Sequence, residues 1–282
     1  MSGNRQKMKK FLNMVKSHPY IMIGGSLILV MVLAALAAPI LTSFDPLEVS
    51  GKDRLLAPSS AHVMGTDHFG RDVMSRLLYG ARVSIEVGLS VVVLSTLMGG
   101  IIGLIAGYYK KFDNVVMRIL DGFMAFPGII IAIMLAAIWG AGKLNIILAL
   151  SFAYFPPMAR VVRSCVISVK EWECVESAKA AGAKDGHIIS KYILLNSLSP
   201  IIVQATFSFA VAILDEAALS FLGVGIEPPY PSWGGMITEG RAFMAIAPWE
   251  MVFPGLAIVI TVLGLNLLGD GLRDLLDPRL KA

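Results

Sequence analysis

Charge is what this sequence has least of. Only 16% of its 282 residues are Asp, Glu, Lys or Arg, against about 25% in an ordinary soluble domain. Six stretches hold none: residues 20–41, 87–109, 122–142 and 192–214, and the shorter 144–159 and 251–269. About twenty apolar residues carry a helix across the hydrocarbon layer, so four runs qualify outright and two are marginal. A buried soluble core accounts for one such run but not for six. A soluble globular domain is excluded, and the sequence predicts an all-α integral membrane protein with six transmembrane helices.

Catalytic chemistry is also lacking. Gly142-Lys143-Leu144 ends like a phosphate loop, but no Ser or Thr follows the Lys and Ala137 stands where the first Gly is required. No His-Glu-x-x-His, paired-cysteine or nucleophile-elbow sequence occurs. The chain is therefore expected to be no enzyme, to bind no cofactor or metal, and to hydrolyse no ATP itself. Cys165 and Cys174 are its two cysteines. They flank a loop assigned below to the cytoplasm, where a disulfide is not expected, and only His187 is near enough in sequence to join a metal site. Both read as ordinary small residues. His62 and His68, in a turn-rich segment, read as structural.

The positive charge that is present is unevenly placed. With six spans both termini share one side, and 17 of the 24 Lys and Arg fall there. Residues 1–18 contribute Arg5, Lys7, Lys9, Lys10 and Lys16, and residues 160–197 contribute Arg160, Arg163, Lys170, Lys179, Lys184 and Lys191. The positive-inside rule puts both termini and the 160–197 loop in the cytoplasm. The net charge of +4 is thus a topology signal and calls for no nucleic-acid partner. The first apolar run is long for a signal peptide, and Ala37-Ala38-Pro39 offers no convincing cleavage site; it reads as a retained anchor. The organisation expected is a basic cytoplasmic tail (1–18), a first span with an extracytoplasmic segment (19–82), a five-helix core (83–272) containing the loop 160–197, and a cytoplasmic tail (273–282).

Within the spans, Gly99, Gly103 and Gly107 recur every four residues, a spacing that lets helices pack backbone to backbone in lipid. Pro127 and Pro156-Pro157 are expected to kink or break the third and fourth spans. Asp215-Glu216 are expected at the outer membrane surface, with the translocation path as the alternative, and Glu86 at the interface. The segment before residue 83 is expected to form turns and then a short interfacial helix. In the basic loop, Glu176-Ser177-Ala178-Lys179-Ala180-Ala181-Gly182 favours helix up to Gly182, which either ends it or admits another backbone. Such a small-residue helix on the most basic loop of a membrane protein is a docking surface for a soluble partner.

The loop resembles that of the inner-membrane permease subunits of ABC importers, whose hallmark is Glu-Ala-Ala, three residues, Gly, and later Leu-Pro. Glu176, Ala178 and Gly182 match; Ser177 replaces the central Ala, and Leu194-Leu195 stands where Leu-Pro is usual. His18-Pro19, Phe44-Asp45-Pro46, Gly65-Thr66-Asp67, Gly70-Arg71-Asp72 and Tyr79-Gly80-Ala81-Arg82 narrow the likeness to the C-type partner of the dipeptide, oligopeptide and nickel permeases. Glu216-Ala217-Ala218-Leu219-Ser220-Phe221-Leu222-Gly223, Pro228-Pro229, Trp233-Gly234 and the run from Leu268 to Asp274 continue it. The resemblance extends from about residue 18 to the end.

It implies a type I ABC importer (MetI-like) bundle in a bacterial or archaeal cytoplasmic membrane. Glu176, Ser177, Ala178, Gly182 and Ala183 would dock on an ATPase. A homologous second permease, two ATP-binding subunits carrying ATP and Mg, and an extracytoplasmic substrate-binding protein would complete the machine. Peptides are the expected cargo, with nickel or metal chelates as the alternative. A self-sufficient channel or ion-driven carrier is the reading from a different class; it calls for charges at span centres, whereas these charges cluster at span ends. No substrate-binding residue is assigned from the sequence.

Overall fold

The computed structural model describes residues 18–276. The basic residues from Arg5 to Lys16, and Arg279 and Lys281, lie outside the described residues. All regular structure among the described residues is helical, apart from one isolated antiparallel bridge between Thr66 and Asp72. Five helices are long and apolar enough to cross a membrane, and one pair of helices, bent by 84° at a short break, reaches that length and hydropathy when its two members are taken together.

Helix α1 (Pro19–Leu36) starts on a proline, whose missing N–H costs nothing at a first helical position, and a short α2 (Ala38–Leu41) follows. Helix α3 (Val73–Tyr108) runs for 36 residues, about 54 Å at 1.5 Å per residue. Asp72 caps it by accepting a 2.7 Å hydrogen bond from the Ser75 amide. The expected interfacial helix before the second span is therefore the first part of α3, continuous with the span. Continuity is possible because its charges are paired locally. Arg76 meets Glu239 at 2.9 Å, and Arg82 donates to the Leu36 carbonyl at the end of α1 at 2.8 Å.

The third span departs furthest from the expected run 122–142. It is built from α4 (Lys110–Met124) and α5 (Gly128–Trp139), bent by 84° at the intervening residues. Pro127 lacks the N–H needed to continue α4 and sits as the residue before α5. With 12 residues, α5 rises only about 18 Å, short of the roughly 30 Å hydrocarbon thickness. Ion pairs of Asp113 with Arg163 and Asp121 with Arg160 hold α4 on the next helix.

That helix, α6 (Lys143–Lys170), stays helical through Pro156 and Pro157 rather than breaking. It is the most buried of the spans, and neighbouring helices hold its path. After α7 (Glu173–Ala180) and α8 (Asp185–Ile188), a π turn (Ile189–Ile193) leads without interruption into α9 (Leu194–Phe221). Helices α10 (Trp233–Gly240) and α11 (Trp249–Leu276) complete the chain.

Two glycine contacts organise the bundle. A Cβ on Gly99 or Gly103 would lie 2.5 Å from the carbonyl oxygen of Phe155 or Ala159 in α6, and one on Gly107 would lie 2.7 Å from the Val166 Cβ. At those three turns α3 and α6 therefore touch backbone to backbone. Gly24 of α1 is equally close to α11, where its Cβ would meet the Leu268 amide at 2.5 Å. The first apolar run is thus packed against the last.

Candidate functional site

At one end of the bundle, α7 and α8 project from the ends of α3 and α6. Their attachment is apolar: Val175, Ile188 and Ile193 are fully buried in a cluster with Val162, Val166 and Val169 of α6 and Tyr108 of α3. Polar contacts reinforce it. The Tyr108 and Tyr109 hydroxyls donate to the two oxygens of Asp185 at 2.7 and 3.2 Å. Lys170 Nζ donates to the Tyr108 carbonyl at 2.8 Å. Residues on the other side of α7 are left free: Glu176 and Ser177 are exposed and Ala178 is partly so, whereas Ala183, beyond the helix, packs partly against the apolar cluster.

Gly182 ends α7 for a conformational reason. Its φ is +80°, a region that costs L-residues about 1–2 kcal/mol, and among the described residues none beyond its chain neighbours lies within 4 Å of where its Cβ would be. The Gly182 amide bonds the Lys179 carbonyl at 2.9 Å and the Ala183 amide bonds that of Ala178 at 3.0 Å. These are the paired closing bonds of a Schellman cap. Of the two roles open in the sequence, helix ending is the one seen within this chain. Gly182→Asn is therefore expected to retain most transport activity, whereas Gly182→Val should lower it at least severalfold with membrane insertion intact. Initial uptake rates normalised to inserted protein check this; equal activity of the two variants would refute the conformational account.

At the far end, residues widely separated in sequence form a cap. Asp67 accepts from the amides of Phe69 and Arg71 at 2.8 and 2.9 Å and from Arg71 Nε at 2.6 Å. Arg71 and Arg76 both reach Glu239 of α10, and both guanidiniums are buried. His68 Nδ1 lies 3.1 Å from Glu250 Oε2, and His62 Nδ1 lies 2.9 Å from Asp72 Oδ2. Asp67, His68 and Glu239 come close enough to suggest a metal site, but both carboxylates are already engaged by guanidiniums. The cap is an ion-paired framework, closed by Trp249 Nε1 donating to the Thr66 carbonyl at 2.9 Å.

Asp215 and Glu216, near the end of α9, are both drawn into contacts with other parts of the chain. Glu216 is fully buried and accepts from Ser84 at 3.1 Å and from Ser220 at 2.9 Å. Hydroxyls supply the hydrogen bonds that a buried carboxylate requires. Trp233 is also fully buried, with Nε1 donating to the Leu77 carbonyl at 3.1 Å. Asp215 is partly buried and accepts from the Tyr154 hydroxyl. Glu86 stays exposed, paired with Lys143 at 2.8 Å. Sequence reading did not single out Tyr154, Asp185 or Glu239, since no local pattern links them to their partners.

Residues 99–282 match the protein family described as binding-protein-dependent transport system inner membrane component. The chain belongs to this family. The permease is 46% identical over 269 residues to the dipeptide transport system permease protein DppC of Alkalihalophilus pseudofirmus, covering 95% of this chain and 88% of that one. It is 44% identical to the glutathione transport system permease protein GsiD of Pectobacterium atrosepticum, covering 92% and 87%. It is 41% identical to the di/tripeptide transport system permease protein DppC of Pseudomonas aeruginosa, covering 92% and 88%. The permease is a multi-pass inner-membrane subunit of an ABC importer of the MetI-like type. A system of this kind works with a separate ATPase and a substrate-binding protein.

Proposed function

We propose that this permease carries di- or oligopeptides into the cytoplasm, paired with a homologous second permease, served by two ATP-binding subunits and fed by an extracytoplasmic binding protein. The relatives named for dipeptide, di/tripeptide and glutathione transport support the cargo. In this reading both termini and α7 face the cytoplasm, the ion-paired cap faces outward, and ATP and Mg belong to the ATPase subunits. Glu176, Ser177, Ala178, Gly182 and Ala183 form the docking surface. The observation that carries the docking role is a short helix held by one buried face, with its other face free and its end capped. ATP-driven closure of the ATPases moves α7 and α8, and the Asp185–Tyr108 contact passes that movement to α3. The closed and open ATPase states thereby favour different bundle arrangements, as any such switch requires.

The exposed Cys174 on α7 gives a direct test. A short thiol-to-amine crosslinker applied to the assembled transporter is expected to join this permease to an ATPase subunit, and Cys174→Ser should abolish the adduct. An adduct that persists in that variant, or none with an ATPase subunit, would refute the docking role. Uptake of labelled peptides by the complete reconstituted transporter with its binding protein tests the cargo.

A further inference from the structure

Four carboxylates lie on the spans near the cap, and they differ in how they are compensated; Glu250 meets His68. Glu86 has Lys143 and Glu216 has two serines. Asp215 has only the Tyr154 hydroxyl among the described residues, and no cation within ion-pair distance. It sits six residues before the end of α9, about 9 Å along the helix. Beside it runs a stripe of α9 that this chain leaves open, with Val211, Leu214 and Leu222 exposed by 39, 43 and 57%. A carboxylate beside lipid is costly, and such groups face a water-filled path or a protein interior. The open stripe therefore belongs to the side of the bundle that does not face lipid.

Tyr154 ties this carboxylate to the break in the third span. A Cβ on Gly128, the first residue of α5, would lie 3.7 Å from Tyr154 Cε1 and 3.8 Å from the Ala153 carbonyl oxygen. That carbonyl has lost its helical donor, because the residue four positions on is Pro157. Gly128 and Tyr154 each lie eleven residues from the loop joining α5 and α6, about 16 Å into the apolar layer. Irregular backbone at that depth occurs where it lines a cavity or is buried in protein, and interrupted helices frame substrate sites in other transporters. The groups gathered here are a carboxylate, a phenol oxygen and a freed carbonyl. All accept hydrogen bonds, and an ammonium group offers three donors and a positive charge.

We propose that Asp215, positioned by Tyr154 at the break between α4 and α5, is a cation-accepting station on the translocation path that receives the α-ammonium group of the peptide. This rests on the peptide reading given above. The test is equilibrium binding of labelled dialanine and N-acetyl-dialanine to the detergent-purified complete transporter without its binding protein. The wild type is expected to favour the free amine roughly tenfold or more, the scale of a charge-assisted hydrogen bond. Asp215→Asn should erase that preference, Asp215→Glu should keep it, and Tyr154→Phe should weaken it severalfold. A preference that survives in Asp215→Asn, an equal loss of both peptides in that variant, or no preference in the wild type would overturn the station. Peptide uptake by the wild-type transporter separates the two readings: without it the peptide reading fails and takes the station with it, whereas uptake alongside any of those binding results refutes the station alone.

Discussion

Replacing Gly103 by valine is expected to destabilise the folded bundle strongly, while the same change at Gly100, in the same helix, leaves it nearly unaffected. The Gly103 Cβ would sit 2.5 Å from the Ala159 carbonyl oxygen, and its neighbours are the Val162 Cβ and the Arg163 amide. None of these is the movable end of a flexible side chain, so α3 and α6 would have to separate. Overpacking of a well-packed site costs about 1–3 kcal/mol, occasionally more. With backbone on both sides we expect about 3 kcal/mol, roughly a hundredfold in the folded population. A Cβ on Gly100 would meet nothing within 4 Å among the described residues outside its own helix backbone, so the added side chain changes only hydrophobicity and helix propensity. Because both variants place the same residue in the same span, insertion should be alike. Size-exclusion profiles of the chain expressed alone as a fluorescent fusion check this, and equal loss of the monodisperse peak in both variants would refute the close-contact account.

The second large effect is expected in the cap. Arg76→Met removes one of two guanidiniums that face Asp67 and Glu239, leaving Arg71 against both carboxylates. Breaking a buried ion pair from one side costs about 3–5 kcal/mol, because the partner charge is left without compensation. Arg76→Met with Glu239→Gln removes the charge that the single variant strands, and it should recover more than half of the loss. A thermal-stability series of the purified permease distinguishes these outcomes. If the double variant is no better than the single one, the energy lies in the packing of the Arg76 stem rather than in the charge pair. The prediction bears on function because the cap fixes the starts of α3 and α11 and the end of α10 relative to one another.

The two predictions differ in how far their residues could be found beforehand. Gly99, Gly103 and Gly107 were visible as candidates, since a four-residue period is a local property of one helix. Which helix they meet was not visible, because that depends on α6 running parallel beside α3, with Gly99, Gly103 and Gly107 meeting Phe155, Ala159 and Val166 in turn. Arg71 and Arg76 read as charges in an outside segment, and nothing local indicated burial. Their partner Glu239 lies more than 160 residues away, and the pair exists only after α10 folds back over the start of α3.

The docking segment shows the same division. Its helical stretch and its end at Gly182 were legible because capping is a short-range effect. Its attachment was not, since Val175 and Ile188 become a buried face only against Val162, Val166 and Val169 of α6. Asp215-Glu216 left a local reading incomplete for a related reason. Adjacent carboxylates near a span end show nothing of their partners until Ser84, Ser220 and Tyr154 arrive from other turns and helices to satisfy them.

The sequence alone sufficed to give a membrane-embedded helical bundle with a basic loop whose short helix ends at Gly182. Those properties follow from charge-free run lengths, Lys and Arg placement, and capping, all of which act over a few turns of chain. Only the tertiary structure decided that the third span breaks beside Tyr154, that two arginines are buried in the cap, and that Glu216 is enclosed while Asp215 keeps an open side. The physical reason is that desolvation belongs to a position in the folded bundle. A carboxylate, a proline or a glycine becomes costly or useful only once other helices determine what replaces water or lipid around it.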